Sequence, residues 1–179
     1  MEHIEYEERV LISKDDYQRI IEYVKGLNKP YSSFSIENIY LDNDEGYIQN
    51  TKKMFRIRKI DNHISELTLK VKNPDGSCNE INETLEEHPL INKALGDLSK
   101  YKEIARLFTS RIELQEKDHL LVVDENIYHG IKDYDLEVEA DSQEKAKEII
   151  LKYCEQFNLI YKDDYHSKSH RAIIQAKKK

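Results

Sequence analysis

The chain has 179 residues, of which 39% are hydrophobic and 35% charged, and its formal net charge is −7. That length suffices for one domain spanning residues 1–179 with a sizeable core, and the composition is not that of a disordered segment. The acidity argues against extended nucleic acid as a partner while leaving room for a local basic site.

In chain order, the first predicted strand runs from His3 to Ile12, with Ile4, Val10 and Ile12 as its apolar contacts. Ser13 is a good N-cap for a helix through Leu27, whose apolar stripe is Tyr17, Ile20, Ile21 and Val24. Gly26 and Pro30 help to end it. A second strand is predicted over Phe34–Asp42, followed by a turn at 42–46. Lys53–Ile60 and Ile64–Lys72 form a predicted hairpin around Asp61-Asn62-His63, and a turn at 73–76 leads into a strand over Cys78–Leu85. The spacing of Leu90, Ile91, Ala94 and Leu95 predicts a mostly helical segment over Pro89–Phe108. Strands then follow at Thr109–Gln115, His119–Tyr128 and Asp133–Ala140. Asp141 and Ser142 cap a helix through Phe157, and a last helix starts near Ser167 and enters the basic tail.

Eight strands with few helices between them predict an antiparallel sheet, and closing it into a barrel would remove its edges and create an interior. The expected class is therefore α+β: an eight-stranded antiparallel β-barrel, or tunnel, with flanking α-helices. Ile57, Val71 and Val138 would then face outward beneath the amphipathic helices. No apolar run reaches membrane-spanning length and the N-terminus lacks a signal-peptide core. Cys78 and Cys154 fit no metal-binding spacing. A cytoplasmic protein without membrane association is the expectation, with the oligomeric state left open.

The charges recur at i, i+2: Glu5/Glu7, Arg56/Arg58, Lys70/Lys72 and Glu137/Glu139. In a strand such pairs share a face. One pair alone reads as a solvated face. Several like-charged pairs on one sheet call instead for a charged ligand, such as a polyanion on the basic groups with divalent metal on the acids. The five glycines are scattered and no glycine-rich phosphate loop precedes a helix, so side-chain cations must hold any phosphate. His166 and His170 lie at i, i+4 without an evident third ligand, and Tyr40 and Asp42 are further candidates for the lining.

Glu5-x-Glu7-x-Arg9 resembles the ExExK signature of the CYTH proteins, or triphosphate tunnel metalloenzymes. The resemblance continues in order through Arg56-x-Arg58, Lys70-x-Lys72, Glu83, Arg111, Asp124, Glu137-x-Glu139 and Lys168. It implies Mg²⁺ or Mn²⁺ as cofactor on Glu5, Glu7, Glu83, Asp124, Glu137 and Glu139. Arg9, Arg56, Arg58, Lys70, Lys72, Arg111 and Lys168 would bind a small triphosphate, with Glu5, Glu7 and Arg9 at the reacting centre. The implied activity is metal-dependent triphosphate hydrolysis, with inorganic tripolyphosphate the leading substrate. An organic triphosphate enzyme, including an adenylate cyclase, and a noncatalytic polyphosphate-binding module are the alternatives. Arg9 stands where the family usually has Lys, and arginine does not give up a proton at ordinary pH.

Overall fold

Alternation of charged with apolar side chains sets eight segments into strands in the computed structural model, which describes residues 1–163 and 166–179. They are β1 (Glu2–Ile12), β2 (Ser32–Asp42), β3 (Lys53–Ile60), β4 (Ile64–Lys72), β5 (Cys78–Thr84), β6 (Lys102–Gln115), β7 (Leu120–Tyr128) and β8 (Ile131–Ala140). Neighbours pair antiparallel in the order β1-β5-β4-β3-β2-β6-β7-β8, and β8 returns to β1 to close the barrel. This is the α+β tunnel expected from the sequence. Closure pairs the backbone that an open sheet would expose at its edges.

Among the described residues five helices flank the barrel: α1 (Lys14–Gly26), α2 (Tyr47–Asn50), α3 (Pro89–Leu95), α4 (Gln143–Phe157) and α5 (Lys168–Lys177). Serine hydroxyls cap three of them. Ser13 accepts from the Asp16 amide, Ser142 from Lys145 and Ser167 from His170. Each such cap contributes about 1 kcal/mol by satisfying an orphan N–H.

The main apolar core lies outside the barrel wall. Val10, Leu114, Leu121, Val123, Leu136 and Val138 pack beneath Ile20 and Val24 of α1 and Ile149, Ile150, Tyr153 and Phe157 of α4. A second cluster joins Phe55, Leu67 and Leu69 to Ile48 of α2 and Ile91 of α3, with Ile57 against it. Each of these side chains contributes roughly 1.5–3 kcal/mol when fully buried. Because apolar side chains take the outer face, the alternate positions on the same strands are committed to the interior. α5 differs from the other helices. Its Ala172, Ile173 and Ala176 pack on Tyr40, Ala105, Leu107 and Tyr128, near the end of β2, the start of β6 and the end of β7. The helix thus lies across one mouth of the barrel.

One predicted element is corrected. The helix expected over Pro89–Phe108 ends at Leu95, where Gly96 takes φ 75°, and a 3₁₀ turn at Leu98–Lys100 leads directly into β6. Beyond Gly96 the burial period changes to two, with Ala105, Leu107 and Thr109 buried in alternation. β6 therefore starts seven residues before the Thr109 of the sequence reading, and its early residues pair with the end of β2.

Candidate active site

Alternation and register bring the charged pairs into one interior. β1 contributes Glu5, Glu7 and Arg9; β3 contributes Arg56 and Arg58; β4 contributes Lys70 and Lys72; β6 contributes Arg111; and β8 contributes Glu137 and Glu139. Lys168 joins them from the first turn of α5, and together they line a cavity of about 960 Å³. Asp124 of β7 stands just behind this lining, fully buried beneath Arg111 and Lys168. Across the β1–β8 seam Glu7 lies opposite Glu139 and Arg9 opposite Glu137, while Arg111 faces Asp124 between β6 and β7.

The acids divide into compensated and uncompensated groups. Glu7 accepts from Arg9 and lies 3.4 Å from the Lys70 ammonium. Burial opposes its charge, but Lys70 and Arg9 outweigh burial and hold its pKa at about 2. Glu5 sits 2.6 Å from Lys70. Glu137 lies 2.6 Å from Lys168, 3.7 Å from Arg111 and 3.9 Å from Arg9. Despite burial, Lys168 and the two arginines keep it well below the usual carboxylate range. Glu139 has no ion pair among the described residues, and burial together with Glu5, Glu7 and Glu137 pushes its pKa up to about 7. Like charges placed directly opposite across strands destabilise a sheet, so the Glu7–Glu139 pair calls for a proton or a cation between them. Carboxylate oxygens alone form a donor set suited to a hard divalent ion, and Glu5, Glu7 and Glu139 bring such oxygens to this cavity, with Lys70 and Arg9 bonded to those of Glu5 and Glu7.

The cations divide in the same way. Arg9 is held between Glu7 and Glu137, whose charges outweigh burial and raise its pKa, so it stays protonated. Arg111 makes a fork on Asp124 with distances of 2.9 and 2.8 Å, and Lys168 bonds the same carboxylate. Both oxygens of Asp124 are thus engaged by a cation, so it supports Arg111 and Lys168. Arg56 and Lys72 make no ion pair among the described residues, and Arg58 has only Glu66 at 3.9 Å. Burial, with Arg56 and Arg111 nearby, lowers the Arg58 pKa to about 10. The Nε atoms of Arg56 and Arg58 are buried without hydrogen-bond partners among the described residues. Buried donors are nearly always satisfied, so this wall is built for an anionic acceptor.

Two sequence candidates fall elsewhere. Glu83 faces away from the interior, and its carboxylate accepts from the Leu90 amide at 3.0 Å and the Ile91 amide at 2.8 Å, capping α3. Ile81 needs the outer apolar cluster, so Glu83, two residues on, shares its outward face. Asp42 likewise caps α2, accepting from the Asn43, Ile48 and Gln49 amides, whereas Tyr40 does line the cavity.

The interior acid of β5 is Glu80, which sequence reasoning missed. It is 3% exposed, opposite Lys70 in register, and accepts from Asn82 at 2.8 Å. Placing Ile81 outward would have found it. His3, Glu5 and Glu80 each bring one ligand atom within 4.8 Å of the others, although the Lys70 ammonium already sits 2.6 Å from Glu5 and 3.7 Å from Glu80. Asp133 and Asp135 extend the β8 series by the same spacing, and Arg171 of α5 binds both. His166 and His170 line the cavity with ring centroids 4.4 Å apart.

A closed antiparallel barrel with its apolar core on the outside and dense charge of both signs inside defines a tunnel protein. The chain belongs to the CYTH domain family, which matches it over residues 3–170. It is similar to a Bacillus halodurans protein described as a candidate adenylate cyclase, with 26% identity and a TM-score of 0.80 over 95% of this chain and 97% of that one. A Hippeastrum protein, described as a candidate adenylyl cyclase with a dominant triphosphatase activity, aligns with 18% identity and a TM-score of 0.76 over 95% and 94%. A Pyrococcus horikoshii protein aligns with 21% identity and a TM-score of 0.60 over 89% and 93%. No curated protein matches the chain. Among the described residues no helix is long and apolar enough to cross a membrane.

Proposed function

We propose that this chain, as a single tunnel domain, is a divalent-metal-dependent hydrolase of a small triphosphate, with inorganic tripolyphosphate the leading substrate. The observation that carries the reading is the Arg56–Arg58–Lys72 wall, whose one ion pair among the described residues is Arg58–Glu66 at 3.9 Å, sharing one cavity with the Glu5–Glu7–Glu139 carboxylates. Membership of the CYTH family supports it.

Arg56, Arg58 and Lys72 bind the phosphate chain by charge-assisted hydrogen bonds, and Arg111 and Lys168 add cations from β6 and α5. Glu5, Glu7 and Glu139 hold the metal. A bound Mg²⁺ or Mn²⁺ supplies neutralisation of the phosphate oxygens and acidity for the attacking water. Arg9 stabilises charge that develops on the leaving pyrophosphate and keeps Glu7 ionised. Asp124 orients Arg111 and Lys168.

An organic triphosphate is the second reading, because the cavity extends past the cation wall to Lys52, Lys162, His166 and His170. Cyclisation of ATP with Arg9 as proton acceptor is disfavoured, since a guanidinium held between two carboxylates stays protonated.

The deciding experiment compares phosphate release from tripolyphosphate, ATP and thiamine triphosphate with Mg²⁺ and with Mn²⁺. Fastest turnover of tripolyphosphate is expected. Cyclic AMP as the main product from ATP overturns the choice of reaction, and tight binding without phosphate release under either metal makes the chain a polyphosphate-binding module.

A further inference from the structure

Lys168 and Arg171 lie three residues apart on α5 and so share one helix face. Only Lys168 lines the cavity. Arg171 is spent on the wall behind it: Nε and Nη2 donate to Asp133 at 3.1 and 3.3 Å, and Nη2 donates to Asp135 at 2.8 Å. Nη1 donates to the His166 carbonyl at 2.7 Å, which ties the residues before the helix to the same group. The aspartates are themselves fixed. Asn126 donates to both, and the Tyr128 hydroxyl donates to Asp133 at 2.6 Å. Among the described residues the first turn of α5 is held in the barrel by this clamp, by the Ser167 cap, by the apolar contacts of Ala172 and its neighbours, and by the bonds of the Lys168 ammonium itself to Asp124 and Glu137.

We propose that Arg171 is a positioning residue: by clamping the first turn of α5 to Asp133 and Asp135 of β8, it holds the Lys168 ammonium where a bound triphosphate needs it. The inference rests on the triphosphate reading above. Without the clamp Lys168 keeps its charge and its bonds to Asp124 and Glu137, but the backbone that carries it loses its tie to β8, and misplacement of a binding cation by about 1 Å is enough to cost binding and rate.

A double-mutant cycle on tripolyphosphate affinity, measured by calorimetry with Mg²⁺, tests it. Arg171→Gln is expected to weaken binding about tenfold in the natural chain and less than about twofold in a Lys168→Met background, because the residue acts only through Lys168. Thermal unfolding of all four proteins supplies the readout of a merely structural role, and any loss of Tm on Arg171→Gln should be equal in both backgrounds. Equal loss of affinity in both backgrounds overturns the proposal, as does wild-type affinity in Arg171→Gln. If Arg171→Gln does not fold, Asp133→Asn loosens the same clamp and carries the cycle with the same criteria. Failure of the unaltered protein to bind tripolyphosphate is a different result, which removes the triphosphate reading and the inference together.

Discussion

At the scale of single residues, Glu139 is where the interior is least balanced. Its pKa of about 7 stands above an ordinary value of 4.5, so the folded protein holds this proton more tightly than the unfolded chain. The stabilisation is complete below about pH 4.5 and is lost as pH rises through about 7, a swing of about 3 kcal/mol for the metal-free protein. Denaturant titrations from pH 5 to 8 are expected to show this decline, Glu139→Gln should flatten it, and saturating Mg²⁺ or Mn²⁺ should reverse it. An unchanged slope in Glu139→Gln would remove Glu139 as the source. Glu7→Ala is expected to lower turnover by orders of magnitude while the protein stays folded. Loss of that carboxylate removes one of the charges that raise the Glu139 pKa. Full metal-dependent activity in Glu7→Ala, measured by phosphate release, would sink the metal assignment.

At the scale of elements, parity decides which charges belong to the site. Ile81 requires the outer cluster, which sends Glu80 inward and Glu83 to the α3 N-terminus. Glu83→Ala should therefore cost about 1 kcal/mol of stability, the worth of an N-terminal cap, and leave kcat and KM unchanged. Glu80→Gln should instead alter substrate or metal affinity, since it removes a charge facing Lys70. A large loss of turnover in well-folded Glu83→Ala would return that residue to the site. The same parity explains how much of the fold was legible. Alternation with a period of two marked eight strands, and serine caps marked the starts of α1 and α4. The stretch after Gly96 was misread because Ala105 and Leu107 also suit a helix, and only pairing of Ala105 with Tyr40 and Leu107 with Asn38 makes them strand. Asp133, Asp135 and Arg171 were invisible for a related reason: their partner lies on a helix 36 or more residues away, and no local spacing announces it.

At the scale of the whole molecule, the fold places its apolar core outside the barrel and its charge within, so stability and ligand binding draw on opposite faces of the same strands. Helix packing holds the wall together, while the poorly compensated cations inside weaken it. Arg58 shows the conflict most clearly, since burial and two neighbouring arginines depress its pKa to about 10 while its Nε finds no acceptor. Its one ion pair among the described residues, to Glu66, is a loose 3.9 Å, and replacing so poorly compensated a buried charge commonly stabilises a protein when the new side chain fills the space. Arg58→Met is therefore expected to raise the Tm of the ligand-free chain. The natural chain should gain about 3 kcal/mol from tripolyphosphate at a hundred times its Kd, or roughly 5–10 °C in Tm for a protein of this length. Arg58→Met should lose most of that gain, so that the stability order of the two proteins reverses when ligand is added. Thermal melts with and without tripolyphosphate, with sulfate at equal ionic strength as control, measure both effects at once. A lower Tm for ligand-free Arg58→Met would show that Arg58 is a structural cation. Equal stabilisation of the two proteins by tripolyphosphate would show that the anion binds elsewhere than on this wall.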